Sequence, residues 1–398
     1  MDSTKLNQWL SLSSMSLKPK PSGPGMARAL FCLSLCVCGI VVASVVTTRV
    51  GEYIVSDGDD LFFPQMGTPT TTNTTTSNNN TALNCSVLGD LREWVSPKEV
   101  WHNMSDEELM WRASMAPGVE EFPYERKAKV AFMFLTRGRL PLRMVWERFF
   151  HGCDRRLFSV YVHAPPEFVG EEEIPASSVF FRRRIPSKPV QWGRPTMVEA
   201  ERRLLANALL DFDNERLVLL SESCIPLFNF TLIHSYLTRS SHSFLSSFDD
   251  PRKSGRGRYN KRMWPAVTLQ DWRKGSQWFE VHRAIAISVV SDVTYYPLFE
   301  GHCAPPCYMD EHYLPTLVTK THPARCANRS VTWVDWSRGG SHPKMYRRRD
   351  VSKGLLDRMR YGGRCGYNGN ASEICFVFAR KFDASALEPL LRLGPALF

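Results

Sequence analysis

The sequence predicts an α/β protein in which helices flank a mostly parallel sheet and a membrane-spanning helix precedes that domain. Two observations predict this arrangement. From Lys129 onward, short apolar runs alternate with longer stretches of helical spacing, as in strands joined by helical crossovers. Residues 29–48 carry no charged side chain over the length that a helix needs to cross a bilayer. The chain has 398 residues, 43% of them hydrophobic, which is enough for a substantial core.

Residues 29–48 are interpreted as an uncleaved transmembrane anchor. A cleaved signal peptide is the alternative, but a long segment precedes the apolar run and no clear cleavage site follows it. Basic residues lie before the run and acidic residues after it, so residues 1–28 are predicted to be a cytoplasmic tail. Residues 49–124 would form a luminal stem and neck, which includes the threonine- and asparagine-rich tract 68–81. Residues 125–398 would form the main luminal domain.

The predicted lumen is oxidising, and the cysteines and sequons fit that compartment. Eight of the 11 cysteines lie outside the anchor, an even set that permits disulfides without requiring them. Sequons of the form Asn-X-Ser/Thr occur at Asn73, Asn79, Asn84, Asn103, Asn229, Asn328 and Asn370. The net charge of +10 suits an anionic ligand. A nucleic acid is not the predicted partner, because the anchor separates the basic triplets 182–184 and 347–349 from the cytosol.

The first elements of the chain are predicted to surround one crevice. A helix should begin in the neck at Ser105, because Glu108 three residues later completes a capping-box pattern. Strands are predicted at 130–136, 157–163, 179–181 and 216–220, and helices at 141–150 and 196–212. Ligands bind beyond the carboxyl ends of parallel strands, so Thr136, His163 and residues 221–224 should converge.

The later elements complete the sheet and its covering helices. Strands are predicted at 244–248, 277–282, 331–336 and 375–379, with helices at 284–291, 350–359 and 384–393. A basic loop, 252–262, separates the first two of these strands.

Residues 300–318 look most like a functional site, and three interpretations compete for them. A tetrahedral zinc cluster would use His302, Cys303, Cys307 and His312, although their spacing matches no common finger. Alternatively, a disulfide-pinned loop presents a catalytic carboxylate, with the partners of its cysteines unassigned. The third interpretation is structural: Asp310 caps a helix and Glu311 complements its dipole.

A divalent-cation site is not predicted elsewhere. Asp211 and Asp213 have the Asp-X-Asp spacing, but they precede the strand at 216–220 instead of following it. The residues after that strand, 221–223, read Ser-Glu-Ser and would hold a cation poorly. The two aspartates therefore better suit a turn or a helix terminus.

Eight motifs in order resemble the plant branch, of the brittle-culm type, of the core-2/I-branching β-1,6-N-acetylglucosaminyltransferases. They are KVAFMFLTRGRLP, LFSVYVHAPPE, WGRPTMVEAERRLLANAL, LVLLSESCIPL, GSQWFEVHR, CYMDEHYLPTLV, VTWVDWSRGGSHP and FARKFD, and the resemblance covers roughly residues 129–391. The resemblance implies a GT-A-like, Rossmann-type fold in a single-pass type II Golgi membrane protein. It also implies inverting, metal-independent transfer of a sugar, such as N-acetylglucosamine or xylose, from a UDP-sugar to a glycan or glycoprotein, for example in cell-wall biosynthesis. A catalytically silent glycan-binding protein of the same fold is the alternative.

The same resemblance implies roles for individual residues. Glu311 is the catalytic base, Lys381 binds the donor diphosphate, and Cys365 and Cys375 form a disulfide. The neighbouring Arg380 could share the role of Lys381. Further donor contacts are expected at Thr136, Arg137, His163, Trp192, Gly193 and Arg364. Acceptor contacts are expected at Glu222, Trp278, Asp310 and Trp336.

The chain also departs from the animal members of that family. His163 stands where they have a uridine-binding Asp, and Ser372 stands where they have a phosphate-binding Arg, which Arg364 or Arg380 would replace. Residues 224–226 read Cys-Ile-Pro in place of Asp-Phe-Pro. These departures lie around donor and acceptor contacts and leave the identity of the sugar open.

The chemistry agrees with the two central assignments. Inversion by direct displacement needs one carboxylate to take the proton of the acceptor hydroxyl, a role that Glu311 can fill. Without a cation, the leaving UDP must be stabilised by fixed positive groups such as Lys381 and Arg380.

Overall fold

The computed structural model describes residues 91–119, 121–169 and 174–397. The predicted anchor, residues 29–48, lies outside the described residues. Within the described ranges, no helix is both long and apolar enough to cross a membrane. These ranges all belong to one compact unit, Asn84–Phe398.

The bounds of the strands and helices are as follows. The strands are β1 (Lys129–Leu135), β2 (Phe158–His163), β3 (Asn214–Ser221), β4 (Ile225–Pro226), β5 (Glu280–His282), β6 (Thr332–Val334), β7 (Cys365–Tyr367), β8 (Asn370–Ser372) and β9 (Phe378–Arg380). The helices are α1 (Leu91–Val95), α2 (Asp106–Ala113), α3 (Arg143–Phe150), α4 (Thr196–Leu209), α5 (Phe230–Thr238), α6 (Arg283–Val290), α7 (Tyr296–His302), α8 (Tyr313–Thr321), α9 (Lys353–Tyr361) and α10 (Leu387–Leu397).

The main sheet is mostly parallel, as predicted. Its strand order is β2-β1-β3-β5, with β1 parallel to both β2 and β3, and β5 antiparallel to β3. In this register Leu135, the last residue of β1, lies opposite His163 of β2 and Ser221 of β3. A second sheet has the order β4-β9-β6, and β7 and β8 form a hairpin. This parallel-rich sheet with flanking helices is consistent with a GT-A-like fold.

Strand β1 is buried on both faces, which explains its continuous apolar sequence. Ala131 and Met133 face the hydrophobic cluster that includes α4, whereas Phe132 and Phe134 face the cluster that includes α3. Trp146 of α3 makes edge-on ring contacts with Phe132 and Phe134, at centroid distances of 6.1 and 5.0 Å. The central strand is thereby fixed from both sides, and the residues that follow it are held in place.

The neck helix α2 begins as predicted. The Ser105 amide donates to Glu108 Oε2 at 2.7 Å, and the Glu108 amide donates to Ser105 Oγ at 3.2 Å, which completes the capping box. Asp106 in the first turn accepts from Arg203 of α4 at 2.7 and 2.8 Å. This ion pair ties the neck to the main domain.

Two predicted strands are wrong. Residues 179–181 form turns, and Arg182 adopts a left-handed φ of 53°, which cannot continue an extended ladder. Residues 244–248 make only the isolated bridges Phe244 to Glu280 and Phe248 to Lys274. Helices α5 and α7 were not predicted, and a helix at the position of α8 was part of only the structural interpretation of residues 300–318.

The Asp-X-Asp spacing has a structural use, as the sequence indicated. Lys129 Nζ donates to Asp211 at 2.7 Å and lies 3.7 Å from Asp213. The Lys129 amide also donates to the Asp213 carbonyl at 2.8 Å. Both carboxylates therefore lie at the amino end of β1. The predicted crevice lies at the opposite, carboxyl end of the strand.

Candidate active site

The residues that follow β1, β2 and β3 converge, as the strand order predicts. The Thr136 amide donates to the His163 carbonyl at 2.9 Å, and Thr136 Oγ1 lies 3.1 Å from the carbonyl oxygens of Gly138 and His163. Arg137 Nε donates to Glu222 Oε1 at 3.1 Å. One crevice thus collects the ends of all three parallel strands.

His163 contributes to this crevice as an internal group. Its side chain is fully buried, and its Nε2 accepts from the Lys188 amide at 3.4 Å. Burial, then the nearby Arg203 and Arg184, lower the pKa of His163 to about 3, so the imidazole is neutral. A direct contact between this side chain and a donor would need the side chain to move.

Three cations surround one carboxylate beside the end of β9. Burial lowers the pKa of Arg380, and burial, Arg380 and Arg137 lower the pKa of Lys381. Glu222 is the acidic neighbour of all three and offsets part of their repulsion. We call Arg137, Arg380 and Lys381 the cationic cluster. Its positive charge exceeds its negative charge, which favours binding of an anion.

Trp278 lies beneath the cationic cluster and is almost fully buried. The Arg380 guanidinium lies 4.0 Å from the centroid of the Trp278 ring. This cation–π contact supports Arg380 in place. Trp278 was predicted to contact the acceptor, but the structure places it as a support for a cation.

Arg364 lies apart from the cationic cluster. It immediately precedes the β7–β8 hairpin, where its guanidinium is 3.9 Å from Glu373 and its side chain is 83% exposed. The predicted disulfide between Cys365 and Cys375 is confirmed.

The segment before Glu311 is closed by a second disulfide. Cys303 and Cys307 are bonded to each other, so their thiolates cannot ligate zinc and the zinc interpretation is wrong. Tyr308 then takes a left-handed φ of 58°, and Met309–Glu311 form one 3-10 turn that leads into α8. The local chain therefore presents Glu311 from a compact, cross-linked loop.

The Glu311 carboxylate makes contacts with two cations. Its Oε2 accepts from Arg258 Nη1 at 2.6 Å and lies 3.5 Å from Lys274 Nζ. The Glu311 carbonyl accepts from the Gly275 amide at 2.8 Å. The side chain is 28% exposed, so a substrate can reach it.

Asp310 lies behind Glu311 and points into the protein. Its side chain is buried, and burial followed by the charge of Glu311 raises the pKa of Asp310 to about 6. Glu201 of α4 is its acidic neighbour, and burial raises the pKa of Glu201 well above the usual range. Gln277 Nε2 donates to Glu201 Oε1 at 2.8 Å. Asp310 was predicted to contact the acceptor, but the structure gives it an interior position.

Trp192 and Gly193 lie against the Glu311 segment. The Trp192 ring is 5.1 Å from the Tyr308 ring and 5.6 Å from His342, and 60% of Trp192 is exposed. Gly193 has φ 75°, and a Cβ there would lie 2.9 Å from the Tyr308 ring. Both were predicted to contact the donor, and the structure places them beside the predicted base. Trp336 is 51% exposed in the loop after β6.

Residues 275–278 join the two halves of the site. Gly275 contacts the Glu311 carbonyl, and Trp278 lies under Arg380. Three extended residue steps span at most about 10 Å between their Cα atoms. This short segment before β5 therefore connects the predicted base to the cationic cluster.

A cavity opens beyond the carboxyl ends of β1 and β2. Its volume is about 370 Å³, and its lining is mostly apolar with an arginine rim: Gly138, Arg139, Leu140, Pro141, Arg143, Val162, Ala164, Phe168, Ile174, Phe180 and Arg184. Gly138 follows Arg137 of the cationic cluster directly, so the cavity and the cluster are neighbours.

Sequence reasoning did not identify Arg258, Lys274 or Glu201. Arg258 lies in the basic loop that the sequence marks, and Lys274 directly precedes one of the quoted motifs. Neither position signals a contact with Glu311, because the pairing depends on the tertiary fold.

The sequence is similar to those of known proteins. The sequence profile of the Core-2/I-Branching enzyme family matches residues 130–360, more than half of the chain. The chain belongs to this family. Glycosyltransferase BC10 of Oryza sativa subsp. japonica is 38% identical to it over 320 residues, which cover 69% of the chain and 79% of that relative.

As a Core-2/I-branching enzyme, the protein is a glycosyltransferase, and the resemblance drawn from the eight motifs is confirmed. The matched region runs from β1 through α9 and includes Glu311, Arg258 and Lys274. Arg380 and Lys381 lie beyond residue 360, in the part of the Core-2/I-branching enzyme that completes the cationic cluster.

Proposed function

We propose that this chain is an inverting glycosyltransferase that uses a UDP-sugar donor and a glycan or glycoprotein acceptor. The cationic cluster carries this proposal. Among the described residues, Glu222 is the one carboxylate that offsets the charge of Arg137, Arg380 and Lys381. Arg380 and Lys381 are also shielded from water and repel each other, which favours binding of an anion such as a diphosphate. N-acetylglucosamine is the first sugar to test, and xylose is the second.

The cavity beyond β1 and β2 is the proposed site of the nucleoside. Its volume of about 370 Å³ suits a small planar base with its ribose. Because Gly138 in its wall follows Arg137, a nucleoside there would place its diphosphate at the cationic cluster. The sugar would then point toward Glu311 along residues 275–278.

Glu311 is the proposed base. The acceptor hydroxyl oxygen forms a bond to the anomeric carbon while its proton passes to the Glu311 carboxylate. The bond between the anomeric carbon and the diphosphate oxygen breaks, and its electron pair leaves with UDP. Arg380 and Lys381 stabilise the negative charge that grows on this oxygen.

We propose that the transfer needs no metal ion. The side chains of the cationic cluster support this. The cluster offers three cationic side chains, and its carboxylate, Glu222, is already paired with Arg137. Activity should be the same in excess EDTA as in buffer alone. Loss of activity in EDTA that Mn²⁺ restores would contradict this part of the proposal.

We further propose a type II orientation in the Golgi membrane, anchored by residues 29–48. The uncharged run and the sequons of the following segment support it. In sealed microsomes, an epitope at the N-terminus should be cleaved by added protease, whereas the domain after residue 90 should be protected. Protection of the N-terminal epitope would contradict this orientation.

The decisive experiment is a donor screen with the detergent-solubilised full-length chain. Release of UDP is measured from each UDP-sugar in the presence of pooled glycan acceptors. Glu311→Gln should lower kcat by about 100-fold or more, because a general base contributes 10²–10⁴. Wild-type turnover by this variant would remove Glu311 as the base. Turnover of no UDP-sugar would favour the catalytically silent glycan-binding protein.

A further inference from the structure

The Glu311 carboxylate is held through only one of its oxygens. Arg258 and Lys274 both approach Oε2, at 2.6 and 3.5 Å. Within residues 91–119, 121–169 and 174–397, Oε1 has no hydrogen-bond partner. The two oxygens of the proposed base are thus in different surroundings.

The loop that carries Arg258 is closed by its own contacts. The Arg256 amide donates to the Asp250 carbonyl at 2.7 Å, and Trp272 Nε1 donates to the Gly255 carbonyl at 3.0 Å. A Cβ at Gly255 would lie 2.3 Å from the Asp250 carbonyl oxygen, so the chain folds back tightly here. The Arg258 guanidinium also lies 4.6 Å from the centroid of the Tyr308 ring. These contacts fix Arg258 before any substrate arrives.

Lys274 approaches Glu311 from a second segment. The Lys274 amide donates to the Phe248 carbonyl and the Phe248 amide donates back, both at 2.9 Å. The next residue, Gly275, donates to the Glu311 carbonyl. The side chain and the backbone of Glu311 are therefore contacted by two consecutive residues, Lys274 and Gly275.

We propose that Arg258 and Lys274 are positioning residues that hold Oε2 and leave Oε1 to take the proton of the acceptor hydroxyl. This rests on the proposed role of Glu311 as the base. Before transfer the carboxylate is ionised and bonded to both cations through Oε2. After transfer the proton is on Oε1, and Oε2 still accepts from Arg258. The carboxyl group keeps its orientation through the step. The activation free energy therefore includes a smaller cost for aligning the base.

Kinetics of Arg258 variants test the proposal with the donor and acceptor that the screen identifies. Arg258→Gln should lower kcat by about 100-fold, because a misplacement near 1 Å can cost that much. The KM for the donor should stay within about threefold, since Arg258 does not contact the cationic cluster. Arg258→Lys should recover kcat to within about tenfold, because the contact is a single N–H···O bond that an ammonium can make.

Arg256→Gln is the matched control. It removes the same charge from the same loop, but its guanidinium pairs with Asp249 on the surface. Its kcat should equal that of the wild type. Equal losses in both variants, or a raised acceptor KM with unchanged kcat in Arg258→Gln, would overturn the positioning role. If Arg258→Gln does not fold, Lys274→Met serves in the same assay with the same expectation of a lower kcat.

A crystal structure of Arg258→Gln provides a readout that does not depend on turnover. The Glu311 carboxylate should rotate away from its wild-type position, and an unchanged carboxylate would overturn the proposal even if no sugar is transferred. Failure of the proposed base and failure of the positioning role give different results. An active Glu311→Gln protein removes the base, whereas an inactive Glu311→Gln protein beside a fully active Arg258→Gln protein removes only the positioning role.

Discussion

The surroundings of Lys381 in the described residues destabilise its positive charge. Its pKa is lowered by burial and by Arg380 and Arg137, while Glu222 opposes these effects. A bound diphosphate would supply the missing negative charge. We expect Lys381→Met to weaken UDP binding by about 1.5–3 kcal/mol, the usual contribution of a hydrogen bond to a charged group. Calorimetric titration with UDP measures this change.

The control for that titration is Lys353→Met. Lys353 is exposed on α9 and pairs with Asp357 at 2.7 Å. The substitution therefore removes the same charge as Lys381→Met, but outside the crevice. Its UDP affinity should match the wild type. Equal affinities for Lys381→Met and the wild type would place the diphosphate elsewhere.

His163 gives the protein a defined acid sensitivity. Its folded pKa of about 3 lies below the usual 6.5, so between these values the unfolded chain binds a proton that the native protein does not. The stability from neutral His163 is therefore complete above pH 6.5 and is lost as the pH falls. The effect approaches about 1.4 kcal/mol per pH unit.

A comparison with His163→Gln isolates that effect, because Asp310 has a raised pKa and opposes it in both proteins. Urea unfolding from pH 4 to pH 6.5 should show a shallower fall in the free energy of unfolding for the variant. Parallel curves for the two proteins would show that His163 is not neutral in the native state.

At the scale of elements, the segment 275–278 depends on its glycine. A Cβ at Gly275 would lie 1.9 Å from the Ser246 carbonyl oxygen and 2.7 Å from Pro315, so the segment would have to move. We expect Gly275→Ala to lower the free energy of unfolding by about 1–3 kcal/mol. It should also lower kcat, because the Gly275 amide holds the Glu311 carbonyl. Thermal unfolding and initial-rate kinetics measure the two effects.

Gly363→Ala is the matched control for this change. Nothing lies within 4 Å of a Cβ built at Gly363, and its φ is not positive. The substitution should leave kcat unchanged and alter the free energy of unfolding by less than about 1 kcal/mol. A Gly275→Ala protein as stable and active as this control would refute the close packing at residues 275–278.

The elements that the sequence predicts best are those whose burial is uniform. Strands β1, β2 and β3 lie within two residues of their predicted bounds, because both faces of each are largely buried and their apolar runs are continuous. The bounds of helix α8 were not predicted, because Pro315 and a preceding 3-10 turn interrupt its pattern. The short apolar run 179–181 was misassigned because tertiary contacts fold it into turns.

The candidate site likewise has parts that the sequence predicts and parts that only the tertiary fold determines. The convergence of Thr136, His163 and Glu222 follows from parallel-strand topology alone, so the sequence could predict it. The two cations on Glu311 come from positions 53 and 37 residues earlier, and only the fold brings them there. The interior position of Asp310 was likewise missed, because a sequence does not show which way an acidic side chain turns.

At the scale of the whole molecule, both disulfides of the described residues lie just before segments of the candidate site. Cys303–Cys307 precedes Glu311, and Cys365–Cys375 precedes Arg380. The sequence separations are 4 and 10 residues, for which chain entropy gives about 2–3 kcal/mol each. Replacing either pair by serine should lower the free energy of unfolding by that amount in guanidinium titration.

Cys153→Ser is the control, because Cys153 is a free cysteine. It should unfold at nearly the wild-type denaturant concentration. Unchanged stability in both disulfide variants would show that the folded protein does not rely on these bonds.

The cationic cluster has a consequence for the release of the product and the binding of the next donor. With the proposed UDP-sugar donor, UDP would offer these side chains one more negative charge than the donor did once the sugar has left. The spent nucleotide would therefore compete strongly with the next donor. We expect turnover to slow as UDP accumulates and to recover when a phosphatase converts it to UMP. The rate at which the compartment clears its by-product would then limit glycan synthesis as much as the supply of activated sugar.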